Sequence, residues 1–314
     1  MLFFTSLADV PADFGPSAVT IGKFDGMHAG HRRVIDELRA VAGAEGLESA
    51  VLTFDRHPLS VLHPEICPPS LTSNAQKREL LSTSGVDAAV MIEFTREFSQ
   101  LTPEEFVQSV LVDGLHARVV LVGRNFRFGR GGSGDVDLLA RLGSQHGFTI
   151  RSIDEVKPSG ERAVSSTWVR DLLSNGQVRD AAALLGRTPS VRGVVVRGAE
   201  RGRALGYPTA NLAPDVEGFI PADGVYAAQL LVDGVPLPAA VSVGNNPTFD
   251  GVPEKQIEAH VLDQSPDLYG KTVEVAFVEY IRGMRKFPSA GDLVEQMRLD
   301  ENRIRDVLGV PARR

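Results

Sequence analysis

From the N-terminus to about residue 155, short apolar runs alternate with segments in which apolar residues recur every three or four positions. The runs occupy 18–21, 50–54, 88–94, 119–123 and 148–153. Between them, Val34, Leu38 and Val41 share one side of a helix, and Thr102-Pro103-Glu104-Glu105 is a capping box with proline at the first helical position. Strands alternating with helices predict a parallel, doubly wound α/β sheet, whose ligands gather where the strands end at their carboxyl side. Two further helical segments, 167–173 and 178–185, follow. After residue 188 the period changes to two: Val194 and Val196, then 225–232 running into Asp233-Gly234, then Val273, Val275 and Phe277. Alternation broken by Gly, Pro and Asp-Gly turns predicts an antiparallel barrel or sandwich. A last helix carries Leu293, Met297, Ile304 and Leu308 on one side. The pattern changes near 186–190, so the expected domains are 1–186 and 187–314.

Composition narrows this picture. A chain of 314 residues exceeds the size at which one core stops growing, and 43% hydrophobic with 23% charged residues is ordinary globular usage. A net charge of -7 argues against a surface that grips a nucleic-acid backbone, so an anionic ligand needs a local pocket. With Cys67 as the one cysteine, neither an internal disulfide nor a zinc site built on cysteine pairs can form. The N-terminal residues lack the basic and apolar regions of a signal peptide, and no run approaches a membrane span, so a cytoplasmic protein is expected.

The segment Gly22-Lys-Phe-Asp-Gly-Met-His-Ala-Gly-His31 leaves the first strand and enters the first helix. Free backbone N–H groups and the helix dipole favour an anion at such a place. Gly22, Gly26 and Gly30 let backbone approach a ligand, and His28 and His31, three apart, can face the same phosphate. An HxGH string alone is explained equally well as polar surface; its place after the first strand favours the site. Gly123-Arg-Asn-Phe-Arg-Phe-Gly129 follows another apolar run, which puts Asn125 at a carboxyl strand end while Phe126 and Phe128 suit the core. Arg162-Ala-Val-Ser-Ser-Thr-Trp-Val-Arg170 offers Ser165, Ser166 and Thr167 hydroxyls between two arginines, although Ser and Thr also serve as ordinary helix caps.

In the second half, Gly198, Gly202 and Gly206 make a closely approachable loop ahead of Pro208-Thr209-Ala210-Asn211. Thr209 and Asn211 put two oxygen-bearing side chains on one side of an extended segment, which suits a hard cation such as magnesium. The GxxxxGK[ST] pattern is missing, so no P-loop is inferred. Glu258 and His260 share a strand face in Ile257-Glu-Ala-His260. On its own Glu258 reads as a solvated strand residue, His260 has no assigned role, and Trp168 reads as packing.

GKFDGMHAGH, GRNFRFG and VSSTWVR, in that order, resemble the adenylyltransferase module of the bifunctional riboflavin kinase/FAD synthetase family. GRALGYPTAN, with 242–248, 257–260 and 268–270, resembles the same family's kinase module, so the resemblance covers almost the whole chain. It implies a nucleotidyltransferase-like module followed by a β-barrel, converting riboflavin to FMN and FMN to FAD with ATP and Mg2+. No nucleic-acid or membrane partner is expected, and a homo-oligomer is left open. By resemblance His28 and His31 stabilise charge on the transferred phosphorus. Gly22, Phe24, Asp25, Gly30, Asn125, Arg162, Ser165, Ser166, Thr167 and Arg170 bind ATP or FMN. In the kinase module Glu258 is the base, Gly198, Arg203, Gly206, Pro208, Thr209 and Asn211 bind ATP or flavin, and Thr209 and Asn211 hold magnesium. Arg56, the glycine-rich Arg130-Gly134 stretch and Gly283-Met-Arg285 depart from the family pattern. A kinase whose first module is inactive, or a flavin- or nucleotide-binding regulator without turnover, are the competing readings.

Overall fold

Why the central strands read as unbroken apolar runs is plain in the computed structural model, which describes residues 1–154, 156–157, 160, 162–198, 206–244 and 255–312. Its first unit, Met1–Ser165, holds β1 (Leu2–Phe4), β2 (Ser17–Ile21), β3 (Glu48–Phe54), β4 (Ala88–Ile92), β5 (Ala117–Gly123) and β6 (Thr149–Ile153). All pairings are parallel, in the order β1-β4-β3-β2-β5-β6. Helices cover both faces of such a sheet, and β2 and β4 are buried at every residue. On one face α1 (Ala29–Glu45) packs Ile35, Leu38 and Val41 over Ala18, Val51 and Ala89, together with Leu81 of α2 (Asn74–Ser82). On the other, Leu139 and Leu142 of a later helix (Val136–His146) join Val19, Leu52, Val90 and Val120. The capping box at Thr102 forms as expected, Thr102 Oγ1 accepting from Glu105 N at 3.2 Å and Glu105 accepting from Thr102 N at 2.8 Å.

From β2 the chain proceeds to β3 and β4 on one side, while β5 and β6 lie on the other. The carboxyl ends of β2 and β5 therefore meet at the point where the winding reverses, the place at which such sheets bind ligands. Strand β1 was not anticipated. Three residues at a sheet edge, with Leu2 55% exposed, are too short to show a period.

The second unit, Ser166–Arg314, is a closed antiparallel barrel preceded by two helices, Ser166–Ser174 and Val178–Leu185. The barrel strands are β7 (Ser190–Val196), β8 (Ala210–Leu212), β9 (Gly224–Val232), β10 (Val235–Gly244), β11 (Gln256–Val261) and β12 (Thr272–Arg282), in the order β10-β11-β8-β7-β12-β9. The β9–β10 hairpin turns at Asp233 and Gly234, with φ of 51° and 80°, as a two-residue turn of this hand requires. Closure leaves no unpaired edge. In contact terms the helical pair belongs with the barrel, whereas the sequence pattern assigned residues up to 186 to the sheet. The reason is local: Ala222 N donates to the Leu173 carbonyl at 2.9 Å and Arg179 pairs with Glu279 of β12.

The C-terminal helix (Ala290–Leu308) docks by Ile304 against Val225, Ala227, Leu262 and Ile281. Beside Ile304 lies Arg305, only 2% exposed, with its guanidinium 2.7 Å from Glu301 and 2.5 Å from Asp263. Removing one member of a buried ion pair leaves its partner uncompensated, at a cost of about 3–5 kcal/mol. Arg305→Met is therefore expected to lower the urea midpoint of the second unit sharply, read from the fluorescence of Trp168, the chain's single tryptophan. Pairing it with Glu301→Leu should recover part of the loss; a single variant as stable as the parent would refute the assignment.

Candidate functional site

Residues 22–28 turn abruptly out of β2. Phe24, Gly26 and Met27 have φ of 48°, 81° and 44°, the left-handed region, which costs a non-glycine residue on the order of 1 kcal/mol or more. Burial and hydrogen bonds hold it there. Phe24 and Met27 are inside the core, at 1% and 3% exposure. The Asp25 carboxylate accepts from the N–H groups of Leu71 and Thr72 at 2.8 and 3.3 Å, and Thr53 Oγ1 donates to the Lys23 carbonyl at 3.1 Å. Asp25 and Phe24, both expected to bind ligand, thus have side chains committed to shaping the loop.

That loop delivers His28 to the N-cap of α1, where its side chain makes no capping bond. Its ring stacks on His31, centroids 3.8 Å apart and planes 19° from parallel. Gly30 makes this fit: a Cβ there would lie 3.1 Å from the His28 ring. Burial foremost, then the neighbouring His28, Lys23, Lys77 and Arg32, hold the His31 pKa well below 6.5. The ring is neutral at physiological pH, a hydrogen-bonding group in a cationic setting at a helix N-terminus.

Asn125 follows β5, across the winding reversal from this loop. Between them the ends of β2, β3, β4 and β5 enclose a cavity of about 470 Å³ walled by Phe54, Phe94, Phe98, Phe106, Phe126 and Phe128. Its polar lining includes Lys23, His57, Asn125 and Arg127. His57 Nδ1 lies 3.1 Å from Leu59 N, and its Nε2 lies 3.1 Å from Nζ of Lys23, an ammonium that can only donate. The Lys23 charge in this lining suits an anion. The sequence analysis did not single out Lys23, which stands inside the first motif, or His57; their pairing depends on how β2 and β3 end, which periodicity does not reveal. The glycine-rich departure lines the same cavity through Gly131 and Gly132, in left-handed conformations. Arg56 instead pairs with Asp55 and Glu93, at 2.6 and 3.2 Å. The Val164 carbonyl passes Gly30, bringing Ser165 to the start of α1; Arg162 is exposed before it, and Ser166, Thr167 and Arg170 belong to the first helix of the second unit.

In the barrel, strand register does the assembling. Glu258 of β11 lies opposite Asn211 of β8 on one side and Ser242 of β10 on the other. Ile257, Ala259 and Val261 fill the interior, so Glu258 and His260 face outward with Asn211. Asn211 Nδ2 reaches the Thr209 carbonyl and hydroxyl at 3.4 and 3.5 Å. Gly198 again makes room, since a Cβ there would lie 2.5 Å from Asn211 Cγ. Pro208 and Thr209 border a cavity of about 410 Å³ that also meets Arg197, Asp267 and Tyr269. Gly206 has φ of 85°. Arg203 and Gly202, like the 245–248 part of the second motif, lie outside the described residues.

A doubly wound sheet with two stacked histidines at a helix start, followed by a barrel that sets a carboxylate opposite an asparagine, fits a two-module enzyme of nucleotide phosphate chemistry. Residues 10–168 match the family model for FAD synthetase, and residues 185–308 that for riboflavin kinase. The bifunctional riboflavin kinase/FMN adenylyltransferase of Escherichia coli is 37% identical, over 93% of both chains. That of Listeria monocytogenes is 34% identical over 90% of both, and that of Bacillus subtilis 32% identical over 91% of this chain and 90% of its own. A crystal structure described as a macrolide-efflux protein from Streptococcus pneumoniae shares the fold with a TM-score of 0.86, at 31% identity over 97% of this chain and 98% of that one. The chain belongs to the bifunctional riboflavin kinase/FMN adenylyltransferase family, with FAD synthetase as its first module and riboflavin kinase as its second. Membership decides for the enzyme over the binding-only reading. Among the described residues no helix is long and apolar enough to cross a membrane.

Two predictions follow from the local geometry. A folded-state pKa below that of the unfolded chain means that, as pH falls below 6.5, the unfolded chain takes up a proton that His31 refuses, so stability drops. Urea unfolding followed by circular dichroism should show a steeper loss between pH 7.5 and 5.5 in the parent than in His31→Gln; equal slopes would count against it. In the barrel, Gly198→Ala should push Asn211 aside and cut riboflavin phosphorylation by about tenfold to a hundredfold, with FMN adenylylation of the same sample unchanged.

Proposed function

We propose that His28, His31 and the N-terminus of α1 stabilise the charge that builds on the α-phosphoryl oxygens of ATP when the FMN phosphate attacks. The new bond joins an FMN phosphate oxygen to the α-phosphorus, the bond to the β-phosphate breaks, and pyrophosphate leaves. Electrostatic stabilisation by fixed donors is the main demand of such a step, and no covalent nucleophile is required. The stacked pair at the winding reversal is the observation that carries this reading. Asn125, Arg162, Ser165, Ser166, Thr167 and Arg170 bind the nucleotide phosphates, while Gly22 and Gly30 admit them. The phenylalanine-walled cavity takes the flavin ring, and Lys23, with His57 beside it, takes its phosphate.

In the kinase module, Glu258 accepts the proton of the riboflavin 5'-hydroxyl as that oxygen attacks the γ-phosphorus and ADP departs. The register that sets Glu258 against Asn211 supports this role. Thr209 and Asn211 are neutral oxygen donors within reach of one another, a set that suits Mg2+ carried in with ATP phosphates rather than a caged ion. Bound there, magnesium would neutralise charge on the phosphates. Gly198, Arg203, Gly206 and Pro208 form the surrounding nucleotide or flavin contacts.

Riboflavin, ATP and Mg2+ incubated with the protein should give transient FMN followed by FAD, separated by chromatography over time. The variant His28→Ala/His31→Ala should accumulate FMN and form FAD at least about a hundredfold more slowly. FAD at the parental rate would remove the two histidines from the mechanism. Loss of both activities in a folded variant would mean that the modules do not act independently.

A further inference from the structure

His260 has no part in the reaction as set out above, yet its environment is specific. It lies on the outer face of β11, two residues beyond Glu258, and its Nδ1 is 2.8 Å from the carbonyl oxygen of Pro208. A carbonyl only accepts, so Nδ1 carries the proton and donates, which fixes the ring's orientation. The ring of Tyr207, itself 8% exposed, packs edge-on against it with centroids 5.1 Å apart.

The ladder explains why this bond matters. Strand β8 begins at Ala210, and its pairing with β11 runs only through Ala210–Ala259 and Asn211–Glu258. Thr209 therefore stands one step beyond the last paired residue, where no strand bond holds it. Pro208 before it has no N–H to give. Its carbonyl is the one backbone hydrogen-bonding group that Pro208 offers, and His260 holds it. From the other side the Asn211 amide reaches Thr209 at 3.4 Å, a weaker contact than the 2.8 Å bond to His260.

We propose that His260 is a positioning residue for riboflavin phosphorylation: by gripping the Pro208 carbonyl it fixes the peptide that presents the Thr209 hydroxyl beside Glu258 and Asn211. The proposal rests on the assignment of Thr209 to the nucleotide phosphates and magnesium.

The full-length chain tests this with three substitutions at one position. In His260→Asn the amide nitrogen sits as far along the side chain as Nδ1 and can donate to the same carbonyl. In His260→Gln the donor lies one bond further out, where Nε2 was, and in His260→Ala there is none. Kinase kcat and KM for ATP are measured across Mg2+ concentrations, with Trp168 fluorescence melting as the fold control and adenylylation of supplied FMN as the activity control. The alanine and glutamine variants should lose about tenfold or more in kcat/KM for ATP, with KM for riboflavin and FAD formation unchanged. The asparagine variant should recover to within a few-fold of the parent. An alanine variant with parental kinase kinetics overturns the proposal, as does a folded asparagine variant no better than alanine. Thr209→Ala separates the two ideas: parental kinase activity in it refutes the Thr209 assignment, whatever His260 shows.

Discussion

A strand side chain can leave the backbone in only two directions, and both units of this protein are organised by that restriction. In the parallel sheet, helices cover both faces, so every residue of β2 and β4 is spent on the core and no chemistry fits along the strand. Reactive groups can appear only where strands stop. His28, His57 and Asn125 all lie beyond the ends of the strands that precede them. The barrel solves the same problem differently. On β11 one face fills the interior, and Glu258 and His260 occupy the outward one, with Asn211 of β8 beside them. One module gathers its candidate groups at the ends of strands, the other on their sides.

Both sites also depend on places where a side chain is missing. Gly30 lets the His28 ring lie against α1, and Gly198 lets Asn211 lie against the start of its loop. Around these gaps the backbone is held by side chains packed or bonded within the protein. Asp25 binds two N–H groups of a neighbouring segment, and burial of Phe24 and Met27 offsets the strain of their left-handed conformations. A carboxylate inside such a motif can therefore be indispensable to the motif's shape.

The alternation of period identified both architectures and most strand positions, because burial on two faces or on one writes directly into residue type. The motifs pointed to the two candidate sites. Other features depend on pairing between distant strands, which no local pattern encodes. Strand β1 is three residues at an edge. The helices at 166–174 and 178–185 carry an apolar stripe that would suit either module, and contacts such as Leu173 with Ala222 and Arg179 with Glu279 show which one receives it. His260 reads as an ordinary strand residue until β8 is laid beside β11 and the Pro208 carbonyl falls opposite its ring.

The winding of the sheet bears on how the protein is made. Strand β2 is joined to β5 across about a third of the chain: Thr20 Oγ1 bonds the carbonyl of Leu121, 101 residues away. Chains emerge from the ribosome N-terminus first, and contacts of long sequence separation form slowly because their loops must close. His28 and His31, the residues proposed for adenylyl transfer, are thus translated early and enclosed only once β5 has been made. Until β5 arrives, one side of β2 is an apolar edge with its backbone groups open, the kind of surface that chaperones shield and that mispairs when they do not.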